Sequence, residues 1–243
     1  MLGTADRAGP SGEPAAVTAA EHRFIIRATR VLARQGIWRF AAVGDSCYPL
    51  VHQALPGFGS APYRLAYAGT AGHSVPGDLM VLVTGDVSDP GLVTGSQQIR
   101  ELFGDEDRPV AVLITGVLER FAYAGEARQY ISALMDWAPE GSFLAASHAV
   151  TGSTDPGMNT TIATAGSKIT RRTLADITAL FDGLTLLRPG VVEVSRWRVS
   201  GAARTRYDPP VPGHAAGVAR KGVLRSGPSA VPAPARPPSP AGR

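Results

Sequence analysis

In DRPVAVLITGVLERF (residues 107–121) five apolar residues, Val110, Ala111, Val112, Leu113 and Ile114, follow one another between Pro109 and Gly116. The run is too short for a globular helix and shows no polar alternation, so it reads as a strand covered on both faces. Strands of that kind belong to parallel sheets with helices on each side.

Working outward, Leu79–Thr84 has the same character, and Trp38–Val43, Tyr63–Ala68 and Phe143–His148 read as further short strands. Helices fit between them. Asp89-Pro90 opens GLVTGSQQIRELFG, and GEARQYISALMDWAPEG carries Tyr130, Ile131, Leu134, Met135 and Trp137 before a Pro-Glu-Gly exit. At the front, Thr18 and Glu21 have capping-box spacing, and Phe24, Ile25, Ala28, Val31 and Leu32 then recur at helical intervals until Gly36. Gly residues and Pro76 predict that the crossover within 69–78 has a short helix or none.

Beyond the fifth strand, a helix is predicted from Thr173 to Phe181, with Thr173 and Asp176 at capping spacing. Leu184–Leu187, a Pro189-Gly190 turn and Val191–Val199 come next. The last two strands are joined too closely for a crossover, which predicts antiparallel neighbours. The expectation is an α/β fold: one seven-stranded, mostly parallel Rossmann-like sheet over residues 18–201, ordered 3-2-1-4-5-7-6, with its last strand reversed.

The ends differ in composition. Residues 1–17 and 202–243 are rich in Gly, Pro, Ala and Arg, and are expected to be disordered, the second as a dispensable Pro/Arg-rich tail. Residues 204–243 hold seven of the 24 Lys and Arg against Asp208 alone, and nine of the 20 prolines. Residues 1–203 therefore carry 17 basic and 19 acidic side chains, and no basic groove for nucleic acid is expected. Cys47 is the only cysteine, which excludes a disulfide framework and a Cys-based zinc site. With no signal-peptide pattern and no apolar run near the roughly 18 residues of a membrane span, the expectation is a cytoplasmic, non-membrane protein.

Particular words resemble one family. DRPVAVLITGVLERF (107–121), APEGSFLAASHAV (138–150) and LADITALFDGLTLLRPGVVEVSRWR (174–198) are similar to the S-adenosyl methyltransferase family abundant in high-GC filamentous bacteria, which has the class I methyltransferase fold. The resemblance spans about residues 20–199. It implies S-adenosylmethionine as cofactor and methyl transfer to a small-molecule acceptor.

The resemblance places the cofactor on Gly44, Asp45, Ser46 and Cys47 after the first strand, with Asp86 and the Val87 backbone at the adenine. Departures from the family's pattern concern the first half of the chain. The glycine-rich loop keeps only Gly44, with Ala42 at its acidic position and Ser46 at its second glycine. Ala68 stands where the family has an acidic ribose ligand, and few residues precede the first helix. A missing pair of charge-assisted hydrogen bonds costs on the order of 1.5–3 kcal/mol, which predicts weak binding. A non-catalytic, methyltransferase-fold binding or regulatory protein is the alternative.

Other readings stay open. The loop 44–49 is a cofactor contact or an ordinary turn, and Asp86 an adenine ligand or a turn cap. Asp45 would repel a pyrophosphate, which argues against a dinucleotide enzyme. Glu119 and His148 are the catalytic candidates, as substrate contact and base, against a solvated glutamate and a buried, satisfied histidine. Cys47 reads best as filler, and His22, His52, His73 and His214 have no metal-ligand spacing, so no metal is expected. Methyl transfer from a sulfonium needs alignment more than special residues, and a base only for a poorly ionised acceptor.

Overall fold

The computed structural model describes residues 12–44, 50–55, 63–70, 79–104, 107–152, 159–164, 167–198 and 213–222. Its strands are β1 (Arg39–Val43), β2 (Arg64–Gly69), β3 (Met80–Thr84), β4 (Val110–Ile114), β5 (Phe143–Ala149), β6 (Thr160–Thr164), β7 (Ser167–Arg171), β8 (Thr185–Leu186), β9 (Val192–Glu193) and β10 (His214–Arg220). The helices are α1 (Gly12–Arg34), α2 (Leu50–Ala54), α3 (Gly91–Thr94), α4 (Gln97–Phe103), α5 (Ala124–Trp137) and α6 (Leu174–Ala179).

The main sheet runs β3-β2-β1-β4-β5-β10-β8, with β9 also paired to β10. β3, β2, β1, β4 and β5 are parallel, and β10 is antiparallel to β5. The expected mostly parallel sheet with one reversed strand is present, and two short strands, β8 and β9, paired to different ends of β10, bring its count to eight. β4 is buried at every position, as its unbroken apolar run requires. One apolar layer joins Phe24, Ile25, Ala28 and Leu32 of α1 to Phe40, Leu65 and Leu113. The other joins Tyr130, Ile131 and Leu134 of α5 to Ala41, Val112 and Ile114. Alternate residues of each strand thus face alternate layers.

Three expectations are corrected. α1 begins at Gly12, inside the segment expected to be disordered, and Thr18 lies within it rather than capping it. Pro14 is acceptable in a first turn, Ala15 and Ala16 favour helix, and Val17 packs on the core. Second, β8 and β9 do not pair with each other: each pairs antiparallel with β10. Residues 194–198 form turns instead of prolonging a strand, and Trp197 is fully buried edge-on to Phe24, ring centroids 5.5 Å apart.

Third, the reversed strand is His214–Arg220, inside the segment 202–243 expected to be a dispensable tail. All seven of its residues pair with β5, from His214 opposite Ala149 to Arg220 opposite Phe143. HAAGVAR has little intrinsic strand preference, and hydrogen bonding from both sides makes it a strand. The domain therefore extends past residue 201 to at least Gly222. Residues 1–11, 199–212 and 223–243, and with them Tyr207 and Leu224, lie outside the described residues, as does the crossover at 71–78.

Candidate functional site

The strand order reverses between β1 and β4, which opens a crevice beyond their carboxyl ends. Gly44 stands there with φ +106°, and an added Cβ would lie 2.2 Å from the Thr115 carbonyl oxygen at the end of β4. Its amide donates to the Ala68 carbonyl at 2.9 Å. Glycine is required at this position twice over, by its dihedral and by the approach of β4. Asp45, Ser46 and Cys47 lie outside the described residues.

At the end of β3, Asp86 is exposed and its carboxylate accepts from the Ser88 amide at 2.9 Å, so it does cap its own turn. Val87 is buried, and its carbonyl accepts from the Tyr130 hydroxyl of α5 at 2.8 Å, which fixes that turn against the second layer. Ala68, at the end of β2, is buried and apolar. The crevice thus presents a Cβ-free backbone at Gly44 and a carboxylate turn at Asp86, and no hydrogen-bonding side chain at Ala68.

Beside the crevice, past the ends of β4 and β5, lies a buried polar group. Glu119, in a 3-10 turn at Leu118–Arg120, accepts from the Ala149 amide at 3.0 Å through Oε1. Glu21 of α1 accepts from the Ser147 hydroxyl at 2.6 Å. Burial pushes both carboxyls up to about 7; the charge of Glu119 adds to the rise at Glu21, and backbone donors oppose it at Glu119.

His148 is buried with both ring nitrogens engaged, Nδ1 with the Ala149 carbonyl at 2.8 Å and Nε2 with the Arg172 guanidinium. Arg172 itself is buried and donates to the carbonyls of Leu118 at 3.1 Å and Phe121 at 2.7 Å. Burial pulls His148 down to about 4, and the Arg172 charge pulls the same way. The imidazole, with no nitrogen left open, braces Arg172 against the 118–121 turn. His214, opposite Ala149 in the register, brings its ring to Glu21 and Glu119.

The two catalytic candidates thus come together, whereas Gly44 and Asp86 belong to different strand ends of the crevice. Ser147 and Arg172 escape sequence reasoning, which reads Glu21 as part of a capping box and His214 as a histidine without metal-ligand spacing. Glu21 did leave one trace: it sits three and four residues before Phe24 and Ile25, on the apolar stripe of α1, where a carboxylate needs a partner.

A family model for S-adenosyl methyltransferases matches residues 58–222, ending just beyond β10. No curated protein sequence matches. Among solved structures, a DUF574 family protein from Streptomyces avermitilis is similar at 22% identity, covering 84% of this chain and 83% of that one, with a TM-score of 0.66. A protein assigned as a methyltransferase from Thermobifida fusca is 19% identical over 84% of this chain and 81% of its own, TM-score 0.63. The Burkholderia thailandensis 1,6-didemethyltoxoflavin-N1-methyltransferase, with 1,6-didemethyltoxoflavin and S-adenosylhomocysteine bound, is 13% identical over 90% and 93%, TM-score 0.51. At these identities the structures attest the fold.

Proposed function

We propose that this chain, which belongs to the S-adenosyl methyltransferase family, transfers a methyl group from S-adenosylmethionine to a small-molecule acceptor. The observation that carries this reading is Gly44: a positive-φ glycine at the end of β1, beside the reversal of strand order, makes the tight turn against β4 from which the loop leaves at the crevice. Gly44, Asp45, Ser46 and Cys47 would hold the amino-acid part of the cofactor, and Asp86 with the Val87 backbone the adenine. The bound cofactor supplies an electrophilic methyl group. The protein's part is to align the acceptor and exclude water. Of the two catalytic candidates, His148 has both nitrogens occupied, which leaves Glu119 to receive a proton from an acceptor that needs to lose one.

A second reading, a non-catalytic binding protein of the same fold, is favoured by Ala68. A buried methyl group at the end of β2 offers the ribose nothing, and binding at least roughly tenfold weaker than with an acidic residue there follows. Calorimetric titration with S-adenosylmethionine tests both. The methyltransferase reading expects measurable binding, weakened by Asp86→Ala and strengthened by Ala68→Asp. Absence of binding even in Ala68→Asp would establish the non-catalytic reading, and tight binding indifferent to Asp86→Ala would put the cofactor elsewhere. Among the described residues no helix is long and apolar enough to cross a membrane.

A further inference from the structure

Three buried atoms beside the crevice have no hydrogen-bond partner among the described residues: Oε2 of Glu119, Nδ1 of His214 and Nε of Arg172. The first two belong to one group of possible ligands. One donor atom each of Glu21, Glu119 and His214 lies within 4.8 Å of the other two. The three residues reach this point from α1, from the turn after β4 and from the start of β10, so it joins the helical layer to the sheet. Glu119 is only 6% exposed and Glu21 only 7%, and a buried acceptor without a donor is costly. Neither orphan atom satisfies the other, so a third species between them would complete the site.

We propose that Glu21, Glu119 and His214 bind one divalent transition-metal ion. Two carboxylate oxygens and an imidazole nitrogen suit Mn²⁺, Fe²⁺ or Zn²⁺, whereas Mg²⁺ and Ca²⁺ prefer oxygen alone. Metal–ligand bonds of about 2.1 Å in tetrahedral geometry put donors about 3.4 Å apart. Any pair near the 4.8 Å bound therefore closes by about 1 Å or more on loading, by side-chain rotation. The nearby cations are directed elsewhere: the Nη atoms of Arg172 are held by the Leu118 and Phe121 carbonyls and by His148, which leaves its Nε unpartnered, while Arg120 and Arg171 are exposed. The Ser147 hydroxyl supplies the outer contact that orients Glu21. Ion binding gives Glu119 a holding role in place of proton acceptance. The assignment goes beyond methyl transfer and stands without it.

The test uses the full chain, dialysed against a chelator and reloaded separately with Mn²⁺, Zn²⁺ and Mg²⁺, with metal content, calorimetry and melting temperature as readouts. Expected are a single equivalent of Mn²⁺ or Zn²⁺, a higher melting temperature with these and not with equimolar Mg²⁺, and pulsed-EPR coupling of bound Mn²⁺ to one imidazole nitrogen. Glu119→Gln and His214→Gln should each weaken binding beyond the roughly 10–100-fold typical of an outer-shell change. The proposal is overturned by failure to take up Mn²⁺ or Zn²⁺ at millimolar concentration, the result expected if a shared proton or a water bridges the group. Undiminished uptake by both variants overturns it as well. If the variants do not fold, bound Mn²⁺ without nitrogen coupling in the unaltered protein decides against it. Titration of the metal-free protein with S-adenosylmethionine is a separate readout, so loss of one reading leaves the other standing.

Discussion

Ending the chain after Ala203 should unfold the domain, and ending it after Gly222 isolates the reason, because the two truncations differ by the segment that contains β10. β10 lies between β5 on one side and β8 and β9 on the other. Ala215, Ala216, Val218 and Ala219 are at most 1% exposed. Burial of three methyl groups at about 0.8 kcal/mol each and of one valine at about 2 contributes on the order of 4 kcal/mol. The seven-residue ladder to β5 is joined by bonds from Leu187 to Val218 and from Val194 to His214, and by Lys221 Nζ to the carbonyls of Met135 and Ala138. At about 1 kcal/mol net for each of these bonds, hydrogen bonding adds on the order of 7 kcal/mol or more. The sum is of the same order as the whole stability of a domain, roughly 5–15 kcal/mol. Urea denaturation followed by circular dichroism should give the 1–222 protein a cooperative transition and the 1–203 protein none. A cooperative transition of the 1–203 protein with the same midpoint and slope as 1–222 would falsify the reasoning.

Gly44→Ala should cost about 1–3 kcal/mol from its dihedral alone, more as β4 is pushed back from the 2.2 Å contact, and should lower the melting temperature by several degrees; an unchanged melting temperature would contradict the assigned geometry. Trp197→Ala removes a fully buried ring from the edge of Phe24 and should cost about 3–5 kcal/mol in chemical denaturation, whereas a loss below about 1 kcal/mol would place the ring at the surface.

What could be read directly from the chain was whatever neighbouring residues determine among themselves. Five apolar residues between Pro109 and Gly116 can be little else than a strand covered on both faces. Gly36 ends α1 at φ +84°, and the Thr173 hydroxyl accepts the Asp176 amide at 3.1 Å, as their spacing predicts. Words shared with the S-adenosyl methyltransferases likewise carried the family and its cofactor. The tertiary structure alone decided two matters. It made a strand of HAAGVAR, whose small residues have weak local preference and whose order comes from hydrogen bonds to β5, β8 and β9. It also brought together positions 21, 119, 147, 172 and 214: Glu21 reads locally as a cap and His214 as part of a tail, and nothing local singles out Ser147 or Arg172. A polar side chain becomes a buried partner only once distant segments have excluded water around it, and no periodicity within one segment registers that event.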